Sequence, residues 1–270
     1  MPMADLSNLI AHRFRGFTFF ENSLNGLNAA LDFGVKQIEF DIRVTKCGTP
    51  LIYHDEYAAD KTGKRHHIKD IWTHEREALG GTFAHMPTAE ALFAAIAAHP
   101  NQDAKILIDM KDAGFEVMLY ALIRANRLEG RALWVSWLPE TLYAIHEIDP
   151  DAKLCFSHWC GDPSAKDKQL HRIFTSQDGH IPRPKRRYVH GERSGWHVAA
   201  PVQGDLRKIL SSVCIPQAMA SRALVDNYHK DGIAVSAFSY VDWDHINRHQ
   251  SEFNVDDYFI DSKKVFNEIV

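Results

Sequence analysis

Short apolar runs of strand length alternate with amphipathic runs of helical length along most of this 270-residue chain. A strand that feeds a helix and then another strand makes a βαβ unit, and successive units lay their strands parallel in one sheet. The pattern predicts strands at Asn8–Ala11, Gln37–Thr45, Pro50–Tyr53, Lys105–Met110, Ala132–Trp137, Lys153–Phe156, Ser212–Ile215, Ile233–Phe238 and Tyr258–Asp261. Helices are expected over Ser23–Phe33 with Gly34 as the stop, Thr88–Ala98 with Thr88 as N-cap, the stripe Phe115 to Ile123, Pro139–Ile148, Met219–His229 and a last segment running to Val270. About eight such units in this length suit an α/β fold of the (β/α)8 TIM-barrel type. A doubly wound open sheet is the competitor. No G-x-G-x-x-G follows the first strand and no Walker A motif occurs, which disfavours nucleotide-binding versions. One domain is expected over 1–270, with loop insertions near 55–87 and 157–201.

Charge and cysteine content narrow the function classes. Lys and Arg number 31 against 35 Asp and Glu, a formal net charge of −4. No global positive field exists to hold nucleic acid or an anionic membrane. Four cysteines in a chain this long do not make a disulfide scaffold. The opening MPMADLSNLIAHRF lacks the marks of a signal peptide, and the longest helix-like apolar run, ALFAAIAA, is far too short for a membrane span. A soluble cytoplasmic protein acting on a small molecule is therefore expected, with oligomeric state undetermined.

Polar residues gather at the ends of the expected strands. His12 and Arg13 end the first, Glu39 and Asp41 sit in the second, His54 and Asp55 end the third, and Asp109 and Lys111 end the fourth. In a parallel barrel these ends share the face where sites are built. Glu39 and Asp41, two apart on a strand, share one side while Ile38, Phe40 and Ile42 take the other. Two buried carboxylates repel unless a cation compensates. Hard oxygen ligands suit Mg²⁺ or Ca²⁺, flanking cations suit a phosphate, and histidines suit proton transfer near neutral pH. On this reading, Asp41→Asn is expected to leave the metal-free protein no less stable, by relieving repulsion.

These residues carry a family resemblance. The stretch from Ile10 to Glu56 resembles the opening of the glycerophosphodiester phosphodiesterase family: His12-Arg13, Glu21-Asn22, Glu39-x-Asp41 and His54-Asp55 appear in the family's order. The likeness continues through MPTAEAL and ILIDMK, fades between His158 and about Ser211, and returns at IAVSAFSYVD and DYFIDS. The resemblance implies a TIM-barrel, metal-dependent phosphodiesterase that releases glycerol 3-phosphate and an alcohol. It implies His12 and His54 as the acid–base pair, and Glu39, Asp41 and Asp109 as ligands to a divalent metal, Mg²⁺ or Ca²⁺. It places Arg13 and Lys111 on phosphate oxygens, Glu21 as a polar residue near metal or substrate, and Phe238 on the substrate pocket. Three positions depart from the family: Phe14 replaces a glycine beside the phosphate, Asp109 replaces a glutamate and is shorter by about 1.5 Å, and Phe238 replaces a tryptophan. The alternatives are a phospholipase-D-like or sugar-phosphodiester activity on the same barrel, or a catalytically impaired phosphate-binding homologue.

Other features read as ordinary. His66, His67, His74 and His85 are expected on a solvated, irregular loop. His158 with Cys160 lacks a second pair at zinc spacing. The basic run Arg183–Arg187 reads as solvated loop. Ser136 lacks the G-x-S-x-G elbow of a nucleophile. Asp261 is balanced between a helix cap and a site residue.

Overall fold

The computed structural model describes residues 5–157, 201–217 and 220–268. Its strands are β1 (Leu9–His12), β2 (Gln37–Val44), β3 (Pro50–Ile52), β4 (Tyr57–Ala59), β5 (Arg65–His67), β6 (Lys105–Met110), β7 (Ala132–Ser136), β8 (Lys153–Ser157), β9 (Ser212–Pro216), β10 (Ala234–Tyr240) and β11 (Asp257–Ile260). Its helices are α1 (Leu24–Phe33), α2 (Arg76–Leu79), α3 (Ala89–Ala98), α4 (Glu116–Ala125), α5 (Pro139–Ile148), α6 (Gly204–Ile209), α7 (Arg222–His229), α8 (Trp243–Phe253) and α9 (Lys263–Asn267). Strands β1, β2 and β6 to β11 pair in parallel in that order, and β11 returns to β1, closing an eight-stranded barrel. The expected (β/α)8 barrel is the fold.

Strand alternation divides the core in two. Ile38, Phe40 and Ile42 of β2 join Leu27 and Leu31 of α1 and Leu92, Phe93 and Ile96 of α3 in the layer between sheet and helices. The opposite parity faces the barrel interior, where Ile10, Leu107, Val135, Cys155, Cys214 and Phe259 form a separate apolar cluster. Burying a side chain of this size contributes about 1.5–3 kcal/mol.

Local signals fix the first helices. The Ser23 hydroxyl accepts from Gly26 N at 3.1 Å, and Gly34 at φ +90° closes α1 in the left-handed conformation. Thr88 caps α3 through Ala91 N. The loop from β1 to α1 passes close to α9, and Gly16, at φ +80°, permits it: a Cβ there would lie 2.5 Å from Lys263 N.

Three expectations are corrected. Strand β3 is not a barrel strand; it pairs antiparallel with β2, Ile42 opposite Ile52. Residues 55–87 are not irregular: β4 and β5 form a hairpin, followed by short helical turns and α2. This excursion has its own small core of Leu51, Ala58, Ile68, Ile71, Phe83 and Met86. Its apolar residues are too scattered to show a period, but the turn was legible. Asp60 accepts from Thr62 N, Thr62 Oγ1 and Lys64 N, ahead of Gly63 at φ +86°. Helices α6 and α8 were also missed. On α8 only Ile246 and His249 are buried, so no apolar stripe announces it. The 157–201 insertion falls, from 158 to 200, outside the described residues, as do His158, Cys160 and Arg183–Arg187.

Candidate active site

Register assembles the site. Parallel pairing sets His12 beside Glu39 and Asp41 beside Asp109. All four have inward parity, so one turn of the barrel mouth holds an imidazole and three carboxylates. One oxygen from each of Glu39, Asp41 and Asp109 lies within 4.8 Å of the others, and all three residues are buried.

Two cations oppose them. Lys111 Nζ lies 2.9 Å from Asp41 Oδ1 and also contacts Asp109 Oδ2. Arg13 Nε lies 3.0 Å from Asp41 Oδ2, close enough for an ion pair but without the angle of a hydrogen bond. Asn22 Nδ2 donates to the same Asp41 oxygen at 2.9 Å. Asp41 is therefore the compensated member: burial opposes its ionisation, but Arg13 and Lys111 hold its carboxyl well below the usual range. Glu39 is pushed well above its usual value, by burial first and then by the Asp41 charge. Asp109 is raised by burial, against the pull of Lys111. Burial also opposes the charge on Lys111, yet Asp109 and Asp41 hold its pKa up. The expectation that removing the Asp41 charge relieves repulsion is thus misplaced. Asp41→Asn would remove the carboxylate that Arg13 and Lys111 share, and the least compensated acid is Glu39.

The donor set fits a hard divalent cation. Three carboxylates face two cations, leaving one negative charge in excess. Asp109 Oδ1 is buried with no hydrogen-bond partner. An orphaned carboxylate oxygen beside two other carboxylates is where such an ion gains most. Among the described residues this is the one such group of His, Cys, Asp and Glu side chains.

The two histidines are held differently. His12 Nδ1 donates to Asp261 Oδ1 at 2.6 Å, since an ionised carboxylate can only accept. This leaves Nε2 unprotonated, 3.8 Å from Glu39 Oε2. Burial, and then the Arg13 charge, lower the His12 pKa to about 4 against the pull of Asp261. Asp261 also accepts from Ser239 Oγ and Arg15 Nη1, each at 2.8 Å; against burial, His12 first and then Arg15 and Ser239 hold its carboxyl low. His54 stands beyond β3, with 29% of its side chain exposed, and its Nδ1 donates to Asp55 Oδ1 at 2.8 Å. Burial lowers its pKa, while Asp41 opposes the change.

The chain between His12 and α1 is bent to bring these groups in. Arg13 and Phe14 sit consecutively at φ +54° and +58°. Such a conformation costs on the order of 1–3 kcal/mol per non-glycine residue. It is held by Arg13 N donating to Glu39 O at 2.9 Å and by Asn22 N donating to Arg13 O at 2.8 Å. The Phe14 ring is fully buried against Phe40. The departure at Phe14 therefore keeps the left-handed backbone that glycine would take freely. Its side chain turns into the outer core and takes no space beside the carboxylates. Glu21 lies at this loop, paired with Arg13 and Arg15. Phe238 packs inside the barrel against Phe259, whose ring in turn meets the His12 imidazole edge-on.

Of the residues singled out in sequence, His12, Arg13, Glu39, Asp41, Asp109 and Lys111 are in one cluster, with His54 and Glu21 at its border and Phe238 below it. Asp261, Arg15 and Asn22 were not assigned a role. A carboxylate after the last inward strand was a usable signal for Asp261, whose place as cap belongs instead to Ser262. Ser136 is fully buried and its hydroxyl donates to Met110 O at 2.8 Å, a structural role. His66 pairs with Asp60, and His85 stacks on Phe20.

Residues 11–262 match the glycerophosphoryl diester phosphodiesterase family. A glycerophosphodiester phosphodiesterase of Caldanaerobacter subterraneus subsp. tengcongensis is 26% identical over 166 residues, 57% of this chain and 67% of that one. A glycerophosphodiester phosphodiesterase from Agrobacterium tumefaciens superposes with a TM-score of 0.64 at 19% identity, covering 96% of this chain and 99% of that one. A phosphodiesterase from Oleispira antarctica, solved with the product sn-glycerol-3-phosphate, superposes with a TM-score of 0.66 at 20% identity, covering 97% of this chain and 96% of that one. With its barrel closed, its acidic cluster at the strand ends and the family pattern spanning nearly its whole length, the chain belongs to the glycerophosphoryl diester phosphodiesterase family.

Proposed function

We propose that this protein hydrolyses a glycerophosphodiester to glycerol 3-phosphate and an alcohol, with Glu39, Asp41 and Asp109 holding a divalent cation and His12 and His54 moving the protons. As a family member it is a phosphoric diester hydrolase. The observation that carries the finer reading is the convergence of the His12 imidazole, a buried cluster of three carboxylates and two largely buried cations at one barrel mouth.

When bound, a Mg²⁺ or Ca²⁺ ion supplies electrostatic stabilisation of the phosphoryl oxygens. The chain's own groups do the rest. Arg13 and Lys111, largely buried and charged, orient the phosphate and add to that stabilisation. His12 Nε2 takes the proton from the substrate's glycerol 2-hydroxyl, whose oxygen bonds to phosphorus as the bond to the leaving alcohol breaks, and Asp261 steadies the imidazolium that forms. His54, with Asp55 holding its Nδ1 proton, enters this step as the imidazolium and gives its Nε2 proton to the leaving alcohol; water then opens the resulting cyclic phosphate with the roles reversed. Glu21 fixes the Arg13 and Arg15 side chains at the phosphate side. Phe238 supplies an apolar wall to the pocket. The sn-glycerol-3-phosphate held by the Oleispira phosphodiesterase supports this choice of product.

The test is a panel of glycerophosphocholine, glycerophosphoethanolamine, a lysophospholipid and a sugar phosphodiester, each with Mg²⁺, Ca²⁺ or Mn²⁺. Released glycerol 3-phosphate from the first two supports the reading. Turnover confined to the lysophospholipid or the sugar diester replaces the substrate, and no metal-dependent turnover at all overturns it.

A further inference from the structure

Arg43 continues the inward series of β2 after Glu39 and Asp41, but its guanidinium does not join the carboxylate cluster. Only 4% of its side chain is exposed. Nε donates to the carbonyl of His54 at 3.0 Å. Nη1 donates to the carbonyl of Lys111 at 3.2 Å and to Asp112 Oδ1 at 2.8 Å. Asp112 Oδ2 accepts from Val44 N at 2.9 Å, so the counter-charge is itself fastened to β2.

The two carbonyls belong to segments that reach the site independently. His54 follows β3, outside the barrel ladder, and hangs from β2 by Tyr53 N donating to Asp41 O at 2.9 Å. Lys111 follows β6 and hangs from β2 by Lys111 N donating to Ile42 O at 3.1 Å. Among the described residues the His54 ring is hydrogen-bonded to the exposed Asp55 alone, so its placement depends on its main chain. A planar guanidinium offers donors in fixed directions, which a lysine ammonium on a flexible stem does not.

We infer that Arg43 is a positioning residue: its fork fixes the main chain at His54 and Lys111 at one spacing and so sets the reach of the His54 imidazole over the carboxylate cluster. Its kinetic consequence rests on the phosphodiesterase reading; the clamp itself does not. Removing the fork leaves two part-buried carbonyls without their donor and frees the segment after β3 to drift. A misplacement of about 1 Å remote from the chemistry can cost about 10²-fold in rate.

The test uses Arg43→Met and Arg43→Lys in the full chain, with two readouts. The first is hydrogen–deuterium exchange of peptides spanning 50–57 and 109–114, at a temperature where wild type and variants are folded. Faster exchange in those two segments, with β9 to β11 unchanged, is expected. The second is turnover of glycerophosphoethanolamine with Mg²⁺, in wild-type and His54→Ala backgrounds. Arg43→Met should lower kcat by about 10²-fold with little change in KM, and should add almost nothing once His54 is absent. Arg43→Lys keeps the charge beside Asp112 and should resemble Arg43→Met in kcat. Unchanged exchange in both segments overturns the clamp, as does a general rise in exchange that follows a fall in Tm. An equal loss of kcat in the His54→Ala background overturns action through His54. A wild-type protein inactive on every diester sinks the phosphodiesterase reading, and the exchange result still decides the clamp.

Discussion

Leu107 and Asp109 stand two residues apart on β6 and face the same barrel interior. Leu107 lies in an apolar layer with Ile10, Val135, Cys155, Cys214 and Phe259. Asp109 lies in a charged layer with Glu39, Asp41, Arg13 and Lys111. Ile10 and His12 repeat the contrast on β1. The lower layer stabilises the fold by removing apolar surface from water. The upper layer puts ionised groups where their charge is costly and compensates them incompletely. Changes above should therefore alter activity more than stability, and changes below the reverse.

The largest effect expected is on rate, in the upper layer. His12→Ala and His54→Ala should each lower kcat by about 10²–10⁴-fold. Tm should hold, because Asp261 keeps Arg15 and Ser239 when His12 is lost. Mg²⁺ affinity, measured by calorimetry, should also hold, and the two losses should be far from additive. A His54→Ala protein that loses Mg²⁺ in step with activity, and regains both at high metal, would make His54 a ligand instead.

The mirror experiment is one layer down. Leu107→Ala should lower stability by about 2–5 kcal/mol through lost burial and a residual cavity, read by urea unfolding, with kcat near wild type wherever the variant is folded. A rate loss at unchanged stability would dissolve the division between layers.

The third prediction tests which carboxylate is uncompensated. The Glu39 carboxyl titrates well above its ordinary 4.5 in the fold, chiefly through burial. The folded state therefore binds that proton more tightly than the unfolded chain, and stability falls as pH rises past 4.5 toward the raised value. Glu39→Gln cannot ionise, so the metal-free variant should be more stable than wild type at neutral pH and equal to it in acid. Mg²⁺ should raise its Tm less than it raises that of the wild type. A metal-free variant less stable than wild type at pH 7 would show that Glu39 is paired after all.

The smallest effect lies at the floor of the barrel. Burial raises the Asp257 carboxyl to about 6 from 3.8, although Gln37 Nε2 donates to it at 2.7 Å. Stability should decline as pH rises through that interval. Asp257→Asn should flatten the decline and gain on the order of 1–2 kcal/mol at neutral pH, with kcat unaffected. An unchanged pH profile of Tm would place the charge in water.

Much of this was legible in the chain. Alternation along β2 separated Ile38, Phe40 and Ile42 from Glu39 and Asp41, because a strand sends successive side chains to opposite faces whatever lies beyond it. Ser23, Gly34 and Thr88 marked helix ends, because caps satisfy backbone groups within a few residues. The order of His12, Glu39, Asp41, His54 and Asp109 along the chain placed them at strand ends. What the tertiary structure alone decided is who meets whom across long sequence separations. Asp261 reaches His12 across 249 residues, and Arg43 joins His54 to Lys111, because closing the barrel brings β11 beside β1 and sets β2 between its hairpin and β6. Local pattern does not tell a ninth strand from a hairpin arm, so β3 read as part of the barrel. Nor does it tell which of two neighbouring acids is compensated: Asp41 is, and Glu39 is not, because Arg13 and Lys111 arrive from other strands.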